Sequence, residues 1–238
     1  MNVIDNNLFE MRYSRNFKAL TKEEQHTLNN SKVSVIGLGG LGGAVLEMLA
    51  RIGIGNIKGV DNDKFDSSNL NRQLFSREDL LGTSKAQAAQ DRIKLINSQI
   101  VIDCKEEFLT EKNAYDLIKE SDVVIDCLDS IKTRFVLQTA TKKAGIPLVS
   151  GAIAGAAGQV TVIFPDDKGF ELIYGKKSIE NSKGIENKLG NLSFCAFCIS
   201  SMQVSECIKV LLKKRDILKN KLLVIDLFSN SFEIVNLK

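Results

Sequence analysis

Three glycines near residue 40 have the spacing of a turn that binds phosphate. Gly37, Gly39 and Gly42 lie at G-x-G-x-x-G positions after the apolar run Val33–Ile36. Without side chains such a turn lets a phosphate approach the backbone, and the N-terminus of the next helix, predicted near Leu41, favours negative charge. A glycine turn that binds no ligand is the alternative. The pattern therefore predicts a nucleotide site that needs support from other residues.

Carboxylates and an arginine follow the second predicted strand. Asn56–Val60 has the character of a strand, and Asp61 and Asp63 come at its end, where dinucleotide-binding folds place an acid for the ribose hydroxyls. The polar run Asp66–Gln73 contains Arg72, whose planar guanidinium can clamp the oxygens of a transferable triphosphate. A solvated loop is the alternative for this run.

Two more charged residues lie where they can meet a phosphate or its metal. Lys85 is in the first turn of the predicted helix Thr83–Asn97, where a cation opposes the helix dipole and contact with phosphate would account for it. A solvated lysine is the alternative. Asp129 follows the predicted strand Asp122–Cys127, at the end where doubly wound sheets bind ligands. Its carboxylate can hold magnesium or cap the next helix.

A parallel sheet would bring these residues together, and the chain alternates as such a sheet requires. Strands and helices alternate from Val33 to Ala144, which predicts a Rossmann-like, doubly wound α/β fold with helices on both faces of a mostly parallel sheet. Pro147–Ser150 and Gln159–Phe164 predict an antiparallel or bent pair of strands joined by a loop of small residues. A long apolar helix, Phe194–Lys213, and a closing hairpin complete an antiparallel C-terminal extension.

The domain organisation predicted for the 238 residues is an N-terminal helical segment, residues 1–30, followed by a single domain, residues 31–238. The polar stretch at about residues 166–191 is predicted to be a mobile crossover loop. The net charge of +3 does not by itself indicate nucleic-acid binding.

Cysteine usage and hydropathy indicate the compartment. Five cysteines without a paired pattern indicate free thiols, and hence a cytoplasmic protein. Cys195 and Cys198 have helical spacing in an apolar run, so core thiols are the preferred interpretation over a metal site. The uncharged run Gly145–Pro165 is too rich in small and polar residues for a membrane span, and no membrane partner is expected.

In combination and in order, these motifs resemble the MoeB/ThiF/HesA family of adenylyltransferases, relatives of the ubiquitin-activating enzymes. The resemblance covers nearly the whole chain. It rests on the segments Arg12-Tyr-Ser-Arg-Asn16, Gly37-Leu-Gly-Gly-Leu-Gly42, Asp61-Asn-Asp63, Ser68-Asn-Leu-Asn-Arg-Gln73, Lys85, Asp126-Cys-Leu-Asp-Ser130 and Ser150-Gly-Ala-Ile-Ala-Gly-Ala-Ala-Gly-Gln-Val-Thr161.

The resemblance implies that residues 31–238 form an adenylation domain that uses MgATP. The C-terminal glycine carboxylate of a small ubiquitin-like sulfur-carrier protein would attack the α-phosphate, giving an acyl adenylate and pyrophosphate for thiamin or molybdopterin-type sulfur transfer. It also implies a homodimer in which Arg15 reaches the partner's site as an arginine finger. The implied catalytic residues are Arg15, Arg72, Lys85 and Asp129, with magnesium on Asp129. The implied nucleotide contacts are Gly37, Gly39, Gly40, Gly42, Asp61, Asp63, Asn69, Arg72, Gln73, Lys85, Asp129 and Ser130.

The chain also departs from the family pattern. Zinc-binding members carry two C-x-x-C pairs, but the first position here reads Leu172-Ile-Tyr-Gly175 and the second would fall beyond Lys238, so no zinc site is expected. The thioester or persulfide cysteine of some relatives would fall near Glu186 and Asn187, where this chain has no cysteine. The expected activity therefore ends at adenylation. Ser130 replaces an asparagine that many relatives carry.

Two other functions stay open at this point. A tRNA threonylcarbamoyladenosine dehydratase would use the same ATP chemistry on a nucleoside carboxylate, and tRNA is a partner only under that alternative. An NAD-dependent oxidoreductase or a non-catalytic nucleotide-binding module belongs to another class. Arg72, Lys85 and Asp129 argue against hydride transfer, which has no use for a set of triphosphate contacts.

Overall fold

The computed structural model describes residues 11–175 and 189–237. Its centre is an eight-stranded sheet in the order β3-β2-β1-β4-β5-β6-β7-β8. The strands are β1 Lys32–Ile36, β2 Asn56–Val60, β3 Val101–Lys105, β4 Val123–Asp126, β5 Leu148–Ala154, β6 Ala157–Ile163, β7 Lys221–Asp226 and β8 Ser231–Asn236. Strands β1 to β5 are parallel, and β6, β7 and β8 continue the sheet antiparallel. The predicted fold class is confirmed.

The helices cover both faces of the sheet. They are α1 Lys22–Asn30, α2 Gly40–Ile52, α3 Lys85–Ile96, α4 Ala114–Ile118, α5 Ile131–Ala144, α6 Phe170–Tyr174 and α7 Ser193–Leu211. One apolar core joins α1, α2, α3 and α7 to the first face, and it includes Val33 and Val35 of β1. The other core joins α4, α5 and α6 to the second face and includes Ile36. Side chains thus alternate between two apolar layers, as strands buried on both faces require.

The strand order creates a crevice between β1 and β4. From β1 the chain proceeds outward through β2 and β3, and then returns to place β4 on the other side of β1. The connections after β1 and β4 therefore diverge at the carboxyl ends of these strands, which is where open α/β sheets bind ligands. The glycine turn at Gly37 and the loop at Asp129 follow these two strands.

The β5–β6 pair differs from its prediction. Both strands are longer than predicted, because β5 extends to Ala154 and β6 begins at Ala157 in place of a loop of small residues. Packing against α7 requires these small residues. A Cβ atom on Gly151 would lie 2.4 Å from the side chain of Gln203, and one on Gly158 would lie 2.4 Å from Ile199. The predicted loop there was wrong, and the predicted antiparallel pairing was correct.

Two other segments differ from their predictions. The crossover region is not structureless over its described part, because α6 forms there and packs Phe170 into the core with no exposed surface. Its centre, residues 176–188, lies outside the described residues. The N-terminal segment is helical only in parts of its described residues: residues 11–13 are helical, a turn region follows, and α1 begins at Lys22 after the cap Thr21. Residues 1–10 lie outside the described part.

Helix α7 is long and apolar enough to cross a membrane when only length and composition are judged. Its inner face is part of the protein core, where Cys195, Ile199 and Cys207 have no exposed surface. A buried core helix passes the same test, so the observation is weak evidence for a span. Burial raises the pKa of the Cys195 thiol to about 11, and Cys198 is half-buried. The two cysteines pack with the first core, as predicted.

Candidate active site

A cavity of about 980 Å³ opens at the carboxyl ends of β1 and β4. This volume is at the upper end of the range typical for small-molecule sites. Eleven of the twelve residues predicted to contact the nucleotide line the cavity: Gly37, Gly39, Gly40, Asp61, Asp63, Asn69, Arg72, Gln73, Lys85, Asp129 and Ser130. Residues far apart in the chain thus meet at one surface.

The glycines of the turn have two different structural roles. Gly37 has φ +91°, and a Cβ atom there would lie 2.6 Å from the Cys127 carbonyl oxygen. A Cβ on Gly42 would lie 1.8 Å from the Gly37 carbonyl oxygen, and Gly42 does not line the cavity. Gly39 and Gly40 line the cavity, and a Cβ on either would be no closer than 3.5 Å to protein atoms. Only this second pair leaves its free space to a ligand.

The N-terminus of α2 faces the cavity without a protein cap. Its N-cap residue is Gly39, which supplies no side-chain hydrogen bond. Helix N-termini in this state offer free N–H groups and a positive dipole end to an anion. The first turn of α2 therefore has a geometry and a charge that suit a phosphate group.

Asp61 is built into the glycine turn. One of its carboxylate oxygens accepts a hydrogen bond from the Leu38 amide at 2.7 Å, and the other accepts from the Asp63 amide at 2.8 Å. Burial raises the pKa of Asp61 and outweighs these two hydrogen bonds. Each oxygen keeps a second lone pair, so the carboxylate can still accept from a ribose hydroxyl. The position after β2 is the one that the sequence predicted.

Lys85 is a buried cation at the start of α3. It is 6% exposed, and its Nζ lies 3.0 Å from Oδ2 of Asp63. The solvated lysine considered as the alternative is wrong, because the ammonium group is enclosed in the cavity wall. A positive charge at a helix N-terminus is repelled by the positive end of the helix dipole, and the carboxylate of Asp63 offsets this effect for Lys85. A buried ammonium group beside a phosphate site can contribute directly to anion binding.

The loop after β2 presents the next three residues. Asn69 ends a short 3₁₀ helix, and its side chain forms a reciprocal capping box with Asp66. Arg72 donates from Nη1 to the Ser68 carbonyl at 2.9 Å and to Asn71 Oδ1 at 3.0 Å, so other donors of its guanidinium can face the cavity. Gln73 is buried, and its Oε1 has no hydrogen-bond partner among the described residues. Such an acceptor in a cavity wall suits a ligand donor.

In the loop after β4, one residue caps the next helix and its neighbour is exposed to the cavity. Ser130 is the N-cap of α5, and its hydroxyl accepts from the Thr133 amide at 3.5 Å. The capping role considered for Asp129 is therefore wrong. Asp129 is exposed to the cavity, and no described residue forms a hydrogen bond or ion pair with its carboxylate. Magnesium often takes one or two carboxylates together with substrate phosphates, so Asp129 fits the ion.

Arg15 lies away from the cavity of its own chain. It is exposed, and it does not line the cavity. The neighbouring residue Tyr13 fixes this segment, because its ring fills the space above Gly53 and its hydroxyl accepts from Asn97 Nδ2 at 2.9 Å. Arg15 therefore projects from an anchored segment. The structure does not bring it together with the other predicted residues.

Several cavity residues were missed from the sequence. Arg134 lines the cavity from α5, Tyr174 from α6, Gln159 from β6, and Asn191 from the residues before α7. The position of Arg134 carried a usable signal, because it lies in the helix that follows the loop of Asp129. Tyr174 and Asn191 carried no such signal, since they belong to a region without periodicity. Among the described residues, no group of three or more His, Cys, Asp and Glu side chains forms a metal site.

Sequence comparisons identify relatives of this chain. A sequence model described as the ThiF family matches residues 13–238. The SAMP-activating enzyme E1 of Haloferax volcanii is 32% identical over 226 residues, covering 94% of this chain and 84% of that protein. The adenylyltransferase and sulfurtransferase MOCS3 of Drosophila sechellia is 33% identical over 215 residues, covering 90% of this chain and 48% of that protein. The chain thus spans about half the length of MOCS3.

Solved structures share the fold. The E. coli MccB structure with ATP has a TM-score of 0.80 at 24% identity and covers 95% of this chain and 71% of that chain. The PaaA structure has a TM-score of 0.76 at 20% identity and covers 98% of this chain and 72% of that chain. The sequence of this chain matches the family over residues 13–238 and is 32% identical to the Haloferax protein. The chain therefore belongs to the ThiF family, a family of ATP-using adenylyltransferases.

Proposed function

We propose that this adenylyltransferase activates the C-terminal glycine carboxylate of a small ubiquitin-like sulfur-carrier protein, for sulfur transfer of the thiamin or molybdopterin type. The observation that carries the proposal is the cavity between β1 and β4, where ligand-facing glycines, buried Lys85 and Asp129, whose carboxylate has no partner among the described residues, share one surface. The names of the similar proteins support it, since one is a SAMP-activating enzyme E1 and the other an adenylyltransferase and sulfurtransferase.

The nucleotide lies with its phosphates at the start of α2. Gly39 and Gly40 leave room for the phosphates, whose charge is met by Lys85 and Arg72. Asp61 and Gln73 supply acceptors for hydroxyl or amino groups of the nucleoside. Magnesium bound to Asp129 would neutralise phosphate charge and make the pyrophosphate a better leaving group.

The acyl substrate approaches along the hairpin of β5 and β6. Ala152, Ala154 and Ala157 line this side of the cavity, and their small side chains leave space for an extended peptide that ends in glycine. Asn191 Oδ1 is buried there and lacks a hydrogen-bond partner among the described residues. A backbone N–H of the bound peptide is the natural donor to such an oxygen.

The reaction then needs little proton transfer. The substrate carboxylate is already ionised at neutral pH, so one of its oxygens attacks the α-phosphorus directly and pyrophosphate leaves. The residues contribute position and positive charge, which is the main source of rate in phosphoryl chemistry. Lys85 and Arg72 stabilise the charge that moves onto the phosphate oxygens. No general base is assigned.

We also propose that the protein forms a homodimer and works in a reducing compartment. The protein is a homodimer in which Arg15 completes the partner's site, and the exposed position of Arg15 outside its own cavity supports this arrangement. Residues 31–238 act as a single adenylation domain. The five cysteines, none of them paired, support a reducing compartment such as the cytoplasm.

Pyrophosphate release from MgATP tests this function. The purified protein is mixed with candidate ubiquitin-like carriers that end in Gly-Gly, and each carrier is compared with a matched carrier that lacks the final glycine. We expect release only with the complete carrier. If threonylcarbamoyl-modified tRNA caused release and none of the carriers did, the result would contradict the proposal and indicate a dehydratase.

A further inference from the structure

The loop that presents Asp129 is held by a buried charge pair beneath it. Asp126, which ends β4, has no exposed surface, and its Oδ1 accepts from the Leu128 amide at 2.9 Å. Its Oδ2 accepts from the Ser150 hydroxyl at 2.6 Å and lies 3.7 Å from Nη1 of Arg134. A charge buried this deeply is stable only with such partners.

Arg134 completes a clamp on the residue before Asp129. Its Nη2 donates a hydrogen bond to the Leu128 carbonyl. The backbone of Leu128 is therefore held at its amide by Asp126 and at its carbonyl by Arg134. Since Asp129 follows directly, these contacts fix the point from which its carboxylate enters the cavity.

The other end of the guanidinium is joined to Tyr174. Nη1 of Arg134 donates to the Tyr174 hydroxyl at 3.2 Å, and Nε2 of Gln159 donates to the same oxygen at 3.1 Å. The ring of Phe170 contacts Phe135 of α5, with 5.7 Å between the ring centroids, and so fixes α6 on that helix. The Tyr174 hydroxyl thus joins α6 and β6 to the guanidinium that holds the Asp129 loop.

We propose that Arg134 and Tyr174 are positioning residues for the metal-bound nucleotide. They act through Leu128, which they hold in the place that lets Asp129 bind magnesium. The inference rests on the proposed function, which assigns magnesium to Asp129. In this role neither residue contacts the reacting atoms.

The magnesium requirement of nucleotide binding tests this role. Isothermal titration calorimetry measures the affinity for a non-hydrolysable ATP analogue at a series of Mg²⁺ concentrations, in the absence of any carrier. For Tyr174→Phe we expect the Mg²⁺ concentration at half-maximal binding to rise about three- to ten-fold, the effect of losing the hydrogen bond that orients Arg134. Saturating Mg²⁺ is expected to restore the affinity. Arg134→Lys is expected to raise the Mg²⁺ concentration at half-maximal binding further.

Two controls separate positioning from general destabilisation. Tyr115→Phe removes a tyrosine hydroxyl from α4, outside the cavity, and should keep the original Mg²⁺ requirement. Thermal unfolding without ligands reports the stability of each variant. A lower melting temperature with an unchanged Mg²⁺ requirement in both Tyr174→Phe and Arg134→Lys would overturn the inference.

The same experiment distinguishes this inference from the proposed function. Asp129→Asn should remove most of the Mg²⁺ dependence. If the unaltered protein bound the analogue equally well with and without Mg²⁺, both the metal assignment and the positioning role would be overturned. If only the unaltered protein and Asp129→Asn differed, while the Tyr174 and Arg134 variants matched the unaltered protein, the positioning role alone would be wrong.

Discussion

At the residue scale, the glycine turn combines two demands that look identical in the sequence. Gly37 and Gly42 are required by the protein's own backbone, because a Cβ on either would collide with a carbonyl oxygen. Gly39 and Gly40 meet no such obstacle and face the cavity. The motif spacing predicts the turn, but only the three-dimensional packing divides its glycines between folding and binding.

Alanine substitutions should separate these two roles. Gly40→Ala is expected to weaken ATP binding about tenfold or more, which corresponds to about 1.4 kcal/mol, with the unfolding transition unchanged. Gly42→Ala is expected to lower the free energy of unfolding by about 2 kcal/mol or more, because the added methyl overpacks the turn. Calorimetric ATP binding and urea unfolding measure the two effects. Equal losses of stability in both variants would contradict the division.

Lys85 should act on the chemical step. Its ammonium group is buried in the cavity wall, in the same cavity as the proposed phosphate site. Lys85→Ala is expected to reduce kcat for pyrophosphate release about 100- to 1,000-fold, as removal of one preorganised donor does. Lys94→Ala, an exposed lysine on the same helix, is the matched control. Comparable losses in the two variants would exclude a specific role for Lys85.

The sequence predicted the site residues that lie at the end of a strand or the start of a helix, and it did not predict those that lie elsewhere. Asp61, Lys85 and Asp129 were found because their positions relative to predicted strands and helices imply a common edge. Tyr174 was missed because α6 has only five residues and shows no measurable periodicity. The sequence alone did not show which residue caps α5. The hydrogen bond from the Thr133 amide to the Ser130 hydroxyl identifies Ser130 as the cap.

At the element scale, ion pairs join the two helices that flank the proposed nucleotide site. Glu47 of α2 is 9% exposed, and it accepts hydrogen bonds from Arg51 of its own helix and from Arg92 of α3. Burial alone would raise the pKa of Glu47, but the hydrogen bonds and charges of the two arginines outweigh it and lower the pKa. Helix α2 begins with the glycine turn and α3 begins with Lys85, so their mutual position matters for the site.

This carboxylate should make stability depend on pH. Because the pKa of Glu47 is lower in the folded state than in the unfolded state, its contribution is present above the unfolded pKa. It is lost as the pH falls below that value, about 4.3 for a free glutamate, toward the folded pKa. Glu47→Gln is expected to lower the free energy of unfolding by about 1 kcal/mol at neutral pH, since both arginines are partly exposed.

Urea unfolding at pH 7 and at pH 4 measures the effect. The difference in stability between Glu47→Gln and the unaltered protein should begin to shrink at pH 4, because Glu47 of the unfolded chain binds a proton there before the folded state loses its ion pairs. Glu78→Gln, an exposed carboxylate in a short 3₁₀ helix, is the control and should show little difference at either pH. A Glu47→Gln effect that stayed constant between the two pH values would contradict the pKa argument.

The hairpin of β5 and β6 shows why element boundaries were harder to predict than element types. Strand propensity favours branched and aromatic residues, so a run of glycine and alanine reads as a loop. Here Gly151 and Gly158 are small because α7 packs against them. The physical reason for small residues at these positions is a contact with a helix distant in the sequence, and no local pattern reports such a contact.

At the scale of the whole molecule, the proposed dimer makes the site composite. Arg15 belongs to an anchored segment but lies outside the cavity of its own chain. If each site takes Asp129 from one protomer and Arg15 from the other, two differently inactivated chains can complement each other. Arg15→Ala and Asp129→Asn should each be nearly inactive alone.

Mixed dimers test this arrangement. After the two variants are mixed and allowed to exchange subunits, about half of the dimers are mixed, and each has one intact site. Carrier-dependent pyrophosphate release should recover to about a quarter of the unaltered activity. An equal mixture of Asp129→Asn and Lys85→Ala is the control, because both changes affect the same protomer's site. No recovery in the first mixture would contradict a site that takes Asp129 from one protomer and Arg15 from the other.

The central claim is that the α-phosphate of ATP becomes attached to the carboxylate of a carrier, and transfer of label measures this directly. The protein is incubated with Mg²⁺, a carrier ending in Gly-Gly and ATP labelled at either the α- or the γ-phosphate. The account predicts that only the α-label is found on the carrier and that added pyrophosphate returns it to ATP. Label on the carrier from γ-labelled ATP, or none from either, would contradict it.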